Sequence, residues 1–343
     1  MVGRASKMMI PAFLLLAVLL LASDDASAHS PTFPHGNTSL ADAWEVHDPA
    51  KSWAVYAELG AGEVNYYRME FKEGERIFLM LITPVNEGKQ GFLPRMALIG
   101  PGLSVDPVTP SFVVVPSGYG SVAIPSQRSD TPQFEAFSPS GFYEISSYDK
   151  PANMTGTYYV AVWNDDPLEG GSYGFPVGFL ESFTIEEMIT IPISLVQVYH
   201  WTGQDYVLVF LPTLITMVLG AGILVRNKLN ARHMGVSRHM VYWAGVLVIG
   251  TGITTAVQLA LTMADTPLDT LVSVTLLLIA GQILLGTLLA RYAWARNDGL
   301  SLSGEAIVIV LALVALFIWG GYIIGPVMAI IGALTSRWGW FRK

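Results

Sequence analysis

Two hydrophobic patterns divide this chain. Between positions 52 and 183 apolar residues come in short runs cut by Gly and Pro, and no long stretch has a 3.6-residue period. The stretch 64–71 alternates, with Tyr66, Arg68 and Glu70 on one face and Tyr67, Met69 and Phe71 on the other. Further runs lie at 53–59, 95–99, 112–115, 142–146, 157–163 and 173–179. The run 76–83 is more continuously apolar, as in a strand buried on both faces. Many short strands with Gly/Pro turns predict an all-β sandwich. From position 206 the pattern changes. Segments 206–225, 240–263, 270–290 and 306–334 are long, apolar and free of charge. Each meets the length of roughly 20 residues that a membrane-spanning helix needs. The expected architecture is an extracellular all-β sandwich over 29–183, a juxtamembrane connector over 184–205, an all-α bundle of four transmembrane helices over 206–334, and a tail over 335–343.

The fourth apolar segment is 29 residues long, too long for one simple span and too short for two. Gly320-Gly321 and Gly325-Pro326 offer breaks. The reading is a span over 306–325, then a short interfacial helix, with Trp338, Trp340 and Phe341 as interface anchors. That leaves a conflict, because four spans put Arg337, Arg342 and Lys343 outside. The connector carries Glu186 and Glu187 at its start, Pro192 in its middle and Tyr199-His200-Trp201 at its end. It reads as a helix on the bilayer surface, or as a lever joining the two parts.

The amino terminus reads as an address. Arg4 and Lys7 precede a 15-residue uncharged run, and Ala26-Ser27-Ala28 has the small residues of a signal-peptidase site. Residues 1–28 are therefore expected to be removed, leaving His29 first.

Charge sharpens this picture. Only 13% of the 343 residues are charged and 52% are hydrophobic, against about 25% charged in ordinary soluble domains. The stretch 29–205 has a net charge of −13 and 206–343 a net charge of +5. An acidic first part argues against a nucleic-acid partner, since phosphate binding needs basic patches. The loop after the first apolar segment carries Arg226, Lys228, Arg232 and Arg238, whereas the loop after the second carries Asp265 and Asp269. The positive-inside rule then sets the β domain outside the cell membrane, loops 226–239 and 291–305 inside, and 264–269 outside. With no cysteine, the chain has no disulfide, thiol nucleophile or thiolate metal site.

Some runs point to a family. These are Gly62-Glu63-Val64-Asn65-Tyr66-Tyr67-Arg68-Met69-Glu70-Phe71 with Lys72-Glu73-Gly74-Glu75-Arg76-Ile77-Phe78-Leu79, then Thr155-Gly156-Thr157-Tyr158-Tyr159-Val160-Ala161-Val162 and Gly171-Ser172-Tyr173-Gly174-Phe175. Over residues 50–180 they resemble the bacterial pre-peptidase C-terminal domain, a secreted β-sandwich found beside proteases and surface proteins. The stretch 84–139 is longer and richer in Pro than that family's middle. The resemblance implies a displayed domain without catalytic residues.

Candidate chemistry is sparse. Within the apolar segments the deepest polar residues are Gln258, Gln282, Thr251, Thr254 and Thr255. They suit interhelical hydrogen bonding and, with Gly250, Gly252, Gly281 and Gly286, close helix packing. The absence of ionisable groups there argues against a proton or ion path. His29, once first in the chain, would offer an α-amine and an imidazole that could chelate Cu(II), with His35 or His47 adding a ligand. That end resembles the copper-binding start of periplasmic copper-resistance proteins and copper oxygenases. His200, His233 and His239 read as structural. Asn37 and Asn153 begin glycosylation sequons. The acidic turn 164–171 has oxygen ligands for Ca²⁺ but no EF-hand spacing. The chain has no phosphate-binding Gly loop, no His-Glu-x-x-His and no Gly-x-Ser-x-Gly. The expected function is a non-enzymatic membrane-anchored surface protein that binds a partner, or an accessory subunit of a membrane complex, without cofactor. The alternative is an extracytoplasmic copper-handling protein using His29.

Overall fold

The computed structural model describes residues 29–227, 234–294 and 302–336. Residues 1–28, read above as a signal segment, most of the basic loop with Lys228, Arg232 and His233, and Trp338, Trp340 and Phe341 lie outside the described residues.

The first half contains β1 (Ser30–Thr32), β2 (Trp44–Glu45), β3 (Trp53–Leu59), β4 (Val64–Phe71), β5 (Arg76–Pro84) and β6 (Arg95–Gly100). A short helix α1 (Val85–Gln90) follows β5 directly. The remaining strands are β7 (Gly120–Ile124), β8 (Gln133–Glu135), β9 (Ser140–Pro151), β10 (Gly156–Trp163) and β11 (Gly171–Val177). They form two mixed sheets, ordered β1-β3-β11-β5-β9-β8 and β2-β4-β10-β6-β7. One core lies between them. Tyr67 of the second sheet meets Phe175 of the first at 4.6 Å between rings. Burying the Tyr67 and Tyr173 hydroxyls would be costly without partners. They hydrogen-bond each other at 2.6 Å, and the Asn65 amide donates to Tyr173 at 2.9 Å.

The alternation read over 64–71 is the observed β4, with Tyr67, Met69 and Phe71 in the shared core. Two expectations need correction. The run 112–115 is not a strand: the Val114 amide donates to the Tyr66 hydroxyl at 2.9 Å, between Pro110 and Pro116, which cannot donate to a ladder. The run 76–83 is buried on both faces only from Leu81 onward, where a β-bulge shifts the register against β9.

The connector is helix α2 (Ile185–Trp201), and it docks on the first sheet rather than lying free of it. A capping box between Thr184 and Glu187 starts it. Glu187 also pairs with Lys51 of the β domain. At its other end the Trp201 indole donates to the Tyr173 carbonyl at 3.0 Å and packs edge-on against Tyr56. The boundary expected near residue 183 therefore cuts through a packed contact.

Among the described residues, three helices are long and apolar enough to cross a membrane: α3 (Tyr206–Arg226), α4 (Val236–Met263) and α5 (Val272–Trp294). Asp205 caps α3 through the Val207 amide. The axes of α4 and α5 approach closely at Gly245 and Gly286, where a Cβ on Gly245 would lie 2.6 Å from the Gly286 carbonyl oxygen. The fourth span expected over 306–325 is instead two short helices, α6 (Leu302–Phe317) and α7 (Ile324–Thr335). Between them the chain reverses, with Trp319, Gly321, Tyr322 and Ile323 all at positive φ. Helix α7 runs back along α4: Gly325 faces Ala244 and Val248, and Gly332 faces Ser237 and Val241. Ser336 ends beside Glu305, its hydroxyl donating at 2.7 Å. Both ends of the hairpin thus lie at the end of the bundle where α4 begins. Non-helical backbone at such depth must find partners inside the protein. Here the Gly321 amide donates to Thr251 Oγ1 at 2.9 Å, and the Gln282 amide donates to the Ile318 carbonyl at 2.8 Å.

Candidate functional site

The hairpin turns back at the level of Thr251, twelve residues before the end of α4, or about 18 Å at 1.5 Å per residue. The β domain occupies the slot this leaves. The loop after β8 reaches down between α4 and α5. The Ala136 carbonyl accepts from Thr275 at 2.7 Å, and the Pro139 carbonyl accepts from Thr262 at 3.0 Å. Phe134 and Ala136 are buried with Leu259 and Val274. Phe137 meets Trp319 at the hairpin turn, edge to face at 5.7 Å. The two halves interlock.

Beside this junction, on the face of the first sheet left uncovered by α2, lies a cavity of about 320 Å³. Strands β3, β5, β9 and β11 floor it with Ala54, Met80, Phe142 and Pro176, among others, and Trp201 closes one side. A narrower recess of about 40 Å³ continues from it toward Leu195 and Trp319, and His29, Tyr56 and Glu135 line both. These three residues form the neck between sheet and bundle. Burial pushes the Glu135 carboxyl up to about 7, reinforced by the like charge of Glu181 and opposed by hydrogen bonds from the Phe137 and Ala136 amides. Burial also raises the Tyr56 phenol, again with the Glu135 charge adding to it. Burial holds the His29 imidazole below its ordinary value, partly offset by Glu181. At neutral pH His29 is therefore predominantly uncharged, with Nδ1 hydrogen-bonded to Ser52.

The three copper candidates are not gathered. His29 sits at this neck. His35 lines a separate groove of about 360 Å³ on the far side of Trp201, together with His200. His47 is exposed beside Glu45. Among the described residues no group of three or more His, Cys, Asp or Glu is arranged to hold a metal ion. In the acidic turn, Asp165 is taken by Arg95 and Asp166 by the Leu168 amide. Asn37 is buried, and its amide donates to the Tyr66 carbonyl at 3.0 Å, so as folded it does not present that nitrogen to a glycan. Asn153 is exposed. Gln258 and Gln282 both bridge elements, but not to each other. Gln258 forms two reciprocal hydrogen bonds with Gln204, at 2.6 and 2.8 Å. Sequence reasoning missed Glu135. It stands in a polar stretch of ordinary appearance, and only the insertion of its loop into the bundle brings it out of solvent, half-buried at the neck.

No protein-family model matches the chain, and no curated protein matches it. Among solved structures it is similar to a mutant of PliG, a periplasmic inhibitor of g-type lysozyme from Escherichia coli. Identity is 17%, the match covers 40% of this chain and 100% of that one, and the TM-score is 0.13. A score of that size carries no argument about fold or function.

Proposed function

We propose that this is a non-enzymatic multi-pass membrane protein that displays its β domain outside the cytoplasm and works by binding, as a receptor-like or accessory subunit of a membrane assembly. The cavity at the junction is its ligand site. The observation that carries this reading is that the first sheet and the connector helix wall one hollow, from which a narrow recess runs on to Trp319 of the hairpin turn. A ligand in the hollow touches the sheet and Trp201, and reaches the bundle only through that recess. Pockets of about 300 Å³ and above, mainly apolar with a few placed polar groups, are the usual form of small-molecule sites. The resemblance of residues 50–180 to pre-peptidase C-terminal domains adds the expectation of a displayed, non-catalytic domain.

The sidedness follows from charge. Arg226 and Arg238 border the basic loop at the end where α4 begins. The hairpin returns the chain at Ser336 to that same end. Three spans and a hairpin support a reading in which this end faces the cytoplasm. Because the chain has no cysteine, single cysteines introduced at positions 118 and 234 test the orientation. In intact cells an impermeant thiol reagent is expected to label 118 and spare 234, and the reverse overturns the topology.

The ligand site is tested by native mass spectrometry of protein taken gently from the membrane. Wild type is expected to carry an adduct that Met80→Trp, which fills the cavity, releases. Identical spectra would remove the site. The copper reading keeps only His29, since His35 and His47 lie elsewhere, and a Cu(II) titration of the processed protein without tight binding would end it.

A further inference from the structure

The geometry points to an amphiphilic amine as the ligand of the junction cavity, its protonated nitrogen on the Glu135 carboxylate and its apolar body along the exposed face of the first sheet. This rests on the reading of that cavity as a ligand site.

Three observations converge. First, Glu135 is a half-buried acid facing both the cavity and its recess, and among the described residues no side-chain cation pairs with it. Its Oε1 accepts the Phe137 amide at 3.1 Å, and the Ala136 amide also donates to the carboxyl. A carboxylate taken out of water without a counter-charge is costly, and proteins rarely keep one without a use. Second, the neighbouring side chains that could supply the charge do not. Glu181 has the same sign, and burial keeps the His29 imidazole neutral, so the α-amine that processing would leave on His29 is the one rival cation there. Arg76 is held by Asp149 in a bidentate pair at 2.8 Å and lies over the Phe179 ring. The Tyr56 phenol stays protonated. Third, the wall around the acid is aromatic. Tyr56, Phe78, Phe142 and Trp201 line the cavity, and the faces of such rings attract ammonium groups. A carboxylate within an aromatic wall selects an amine. An alcohol cannot neutralise the acid, and a fatty acid would bring a second negative charge beside Glu135 and Glu181.

The test uses the full-length protein in nanodiscs of phosphatidylglycerol, which contain no amine. Three photoactivatable probes of equal chain length are compared, a primary alkylamine, an alcohol and a carboxylate, and their attachment sites are mapped by mass spectrometry. The amine probe is expected to label the peptides containing Met80, Phe142 and Trp201 at least tenfold more than the others. Glu135→Gln is expected to remove that preference, and Glu135→Asp to keep part of it. Met80→Trp, which leaves the acid in place, is expected to block labelling, with thermal unfolding confirming that each variant is folded. Labelling by the amine should strengthen as pH rises through about 7, because the ionised acid is what binds; His29, Glu181, Tyr56 and Arg76 are the other titratable groups around it. Replacing part of the disc lipid by phosphatidylethanolamine distinguishes sources. Reduced labelling assigns the amine to a lipid headgroup, and unchanged labelling assigns it to a free amine. Equal labelling of the cavity by amine and alcohol, or a Glu135→Gln variant that keeps the preference, overturns the amine while leaving a ligand site. Labelling of the cavity by no probe overturns the site itself.

Discussion

The core of the β domain and the core of the bundle are built by opposite means. Between the sheets, large side chains interdigitate: Tyr67, Tyr158, Phe175 and Leu79 are all essentially inaccessible. Between α4 and α5 the contact is made by what is missing, since Gly245 and Gly286 bring two backbones together. Water drives the first kind of core, because burying apolar area there gains roughly 25 cal/mol per Å². In lipid that gain vanishes, because a tail is as apolar as leucine, and close packing with internal hydrogen bonds has to supply the attraction. The difference predicts which substitutions each half tolerates. A glycine of the bundle is its weak point, whereas in the β domain the weak point is a large aromatic.

The largest effect is expected at Gly245→Leu. A Cβ there would sit 2.6 Å from the Ala290 nitrogen as well as from the Gly286 oxygen, and both are backbone atoms that cannot swing aside. The cost is expected to exceed about 3 kcal/mol, as overpacking against backbone does. Size-exclusion chromatography in mild detergent should show loss of the monodisperse species. A well-behaved Gly245→Leu would mean that α4 and α5 are not packed through their glycines. Phe175→Ala probes the other kind of core. It leaves a void beside Tyr67 and is expected to cost about 3–5 kcal/mol in thermal or denaturant unfolding.

The junction tests whether the two cores unfold as one. Phe137→Ala removes the ring that meets Trp319 but leaves the carbonyl contacts of Ala136 and Pro139. Its cost is expected near 2 kcal/mol, and a single unfolding transition should split into two as the coupling weakens. A transition that stays single would show that α2 and Trp201 couple the halves without the loop.

How far the sequence revealed this molecule follows the same division. Period-two alternation in water is strong evidence, so β4 was legible to the residue at both ends. The short strands β7 and β8 were not, because they are set by partners distant in the chain: β7 pairs with β6 and β8 with β9. In the last apolar segment hydropathy reports transfer to lipid, and a hairpin buried in protein has the same composition as a span. Gly320-Gly321 and Gly325-Pro326 marked the break, yet not the direction in which the chain leaves it. The site was less legible still. His29 was singled out for a copper chemistry whose partners are not assembled, and it lies at the neck of the cavity for another reason, as the residue before β1. Nothing local distinguishes Glu135 from the other acids of its domain.

A smaller effect is expected from pH at the junction. The folded-state value of Glu135 lies near 7, above its ordinary carboxyl value, so the folded protein binds more protons than the unfolded chain between about 4.5 and 7. This acid's contribution therefore makes stability fall as pH rises through that window. Unfolding temperatures at pH 5 and pH 8 should differ less in Glu135→Gln than in wild type, with the variant the more stable at pH 8. An identical pH dependence in the two would mean that Glu135 is not buried without a counter-charge.

The smallest effect is expected from Gln282→Leu, and its size separates two accounts of how the hairpin turn is held. The Gln282 amide donates to the Ile318 carbonyl, where the helical ladder of α6 has ended. Its Oε1, by contrast, is buried with no partner among the described residues. Leucine fills nearly the same volume and removes both groups. Losing the donor leaves the Ile318 carbonyl unsatisfied, which destabilises. Losing the orphaned oxygen removes a desolvated polar atom, which stabilises. The two oppose each other, and hydrogen bonds between membrane helices average only about 0.6 kcal/mol, so the net cost should stay below about 1 kcal/mol. A loss of several kcal/mol would mean that Oε1 has a partner after all. At this depth such a partner would be a buried water bridging the turn, and replacing the glutamine would strip the water from all the groups it serves.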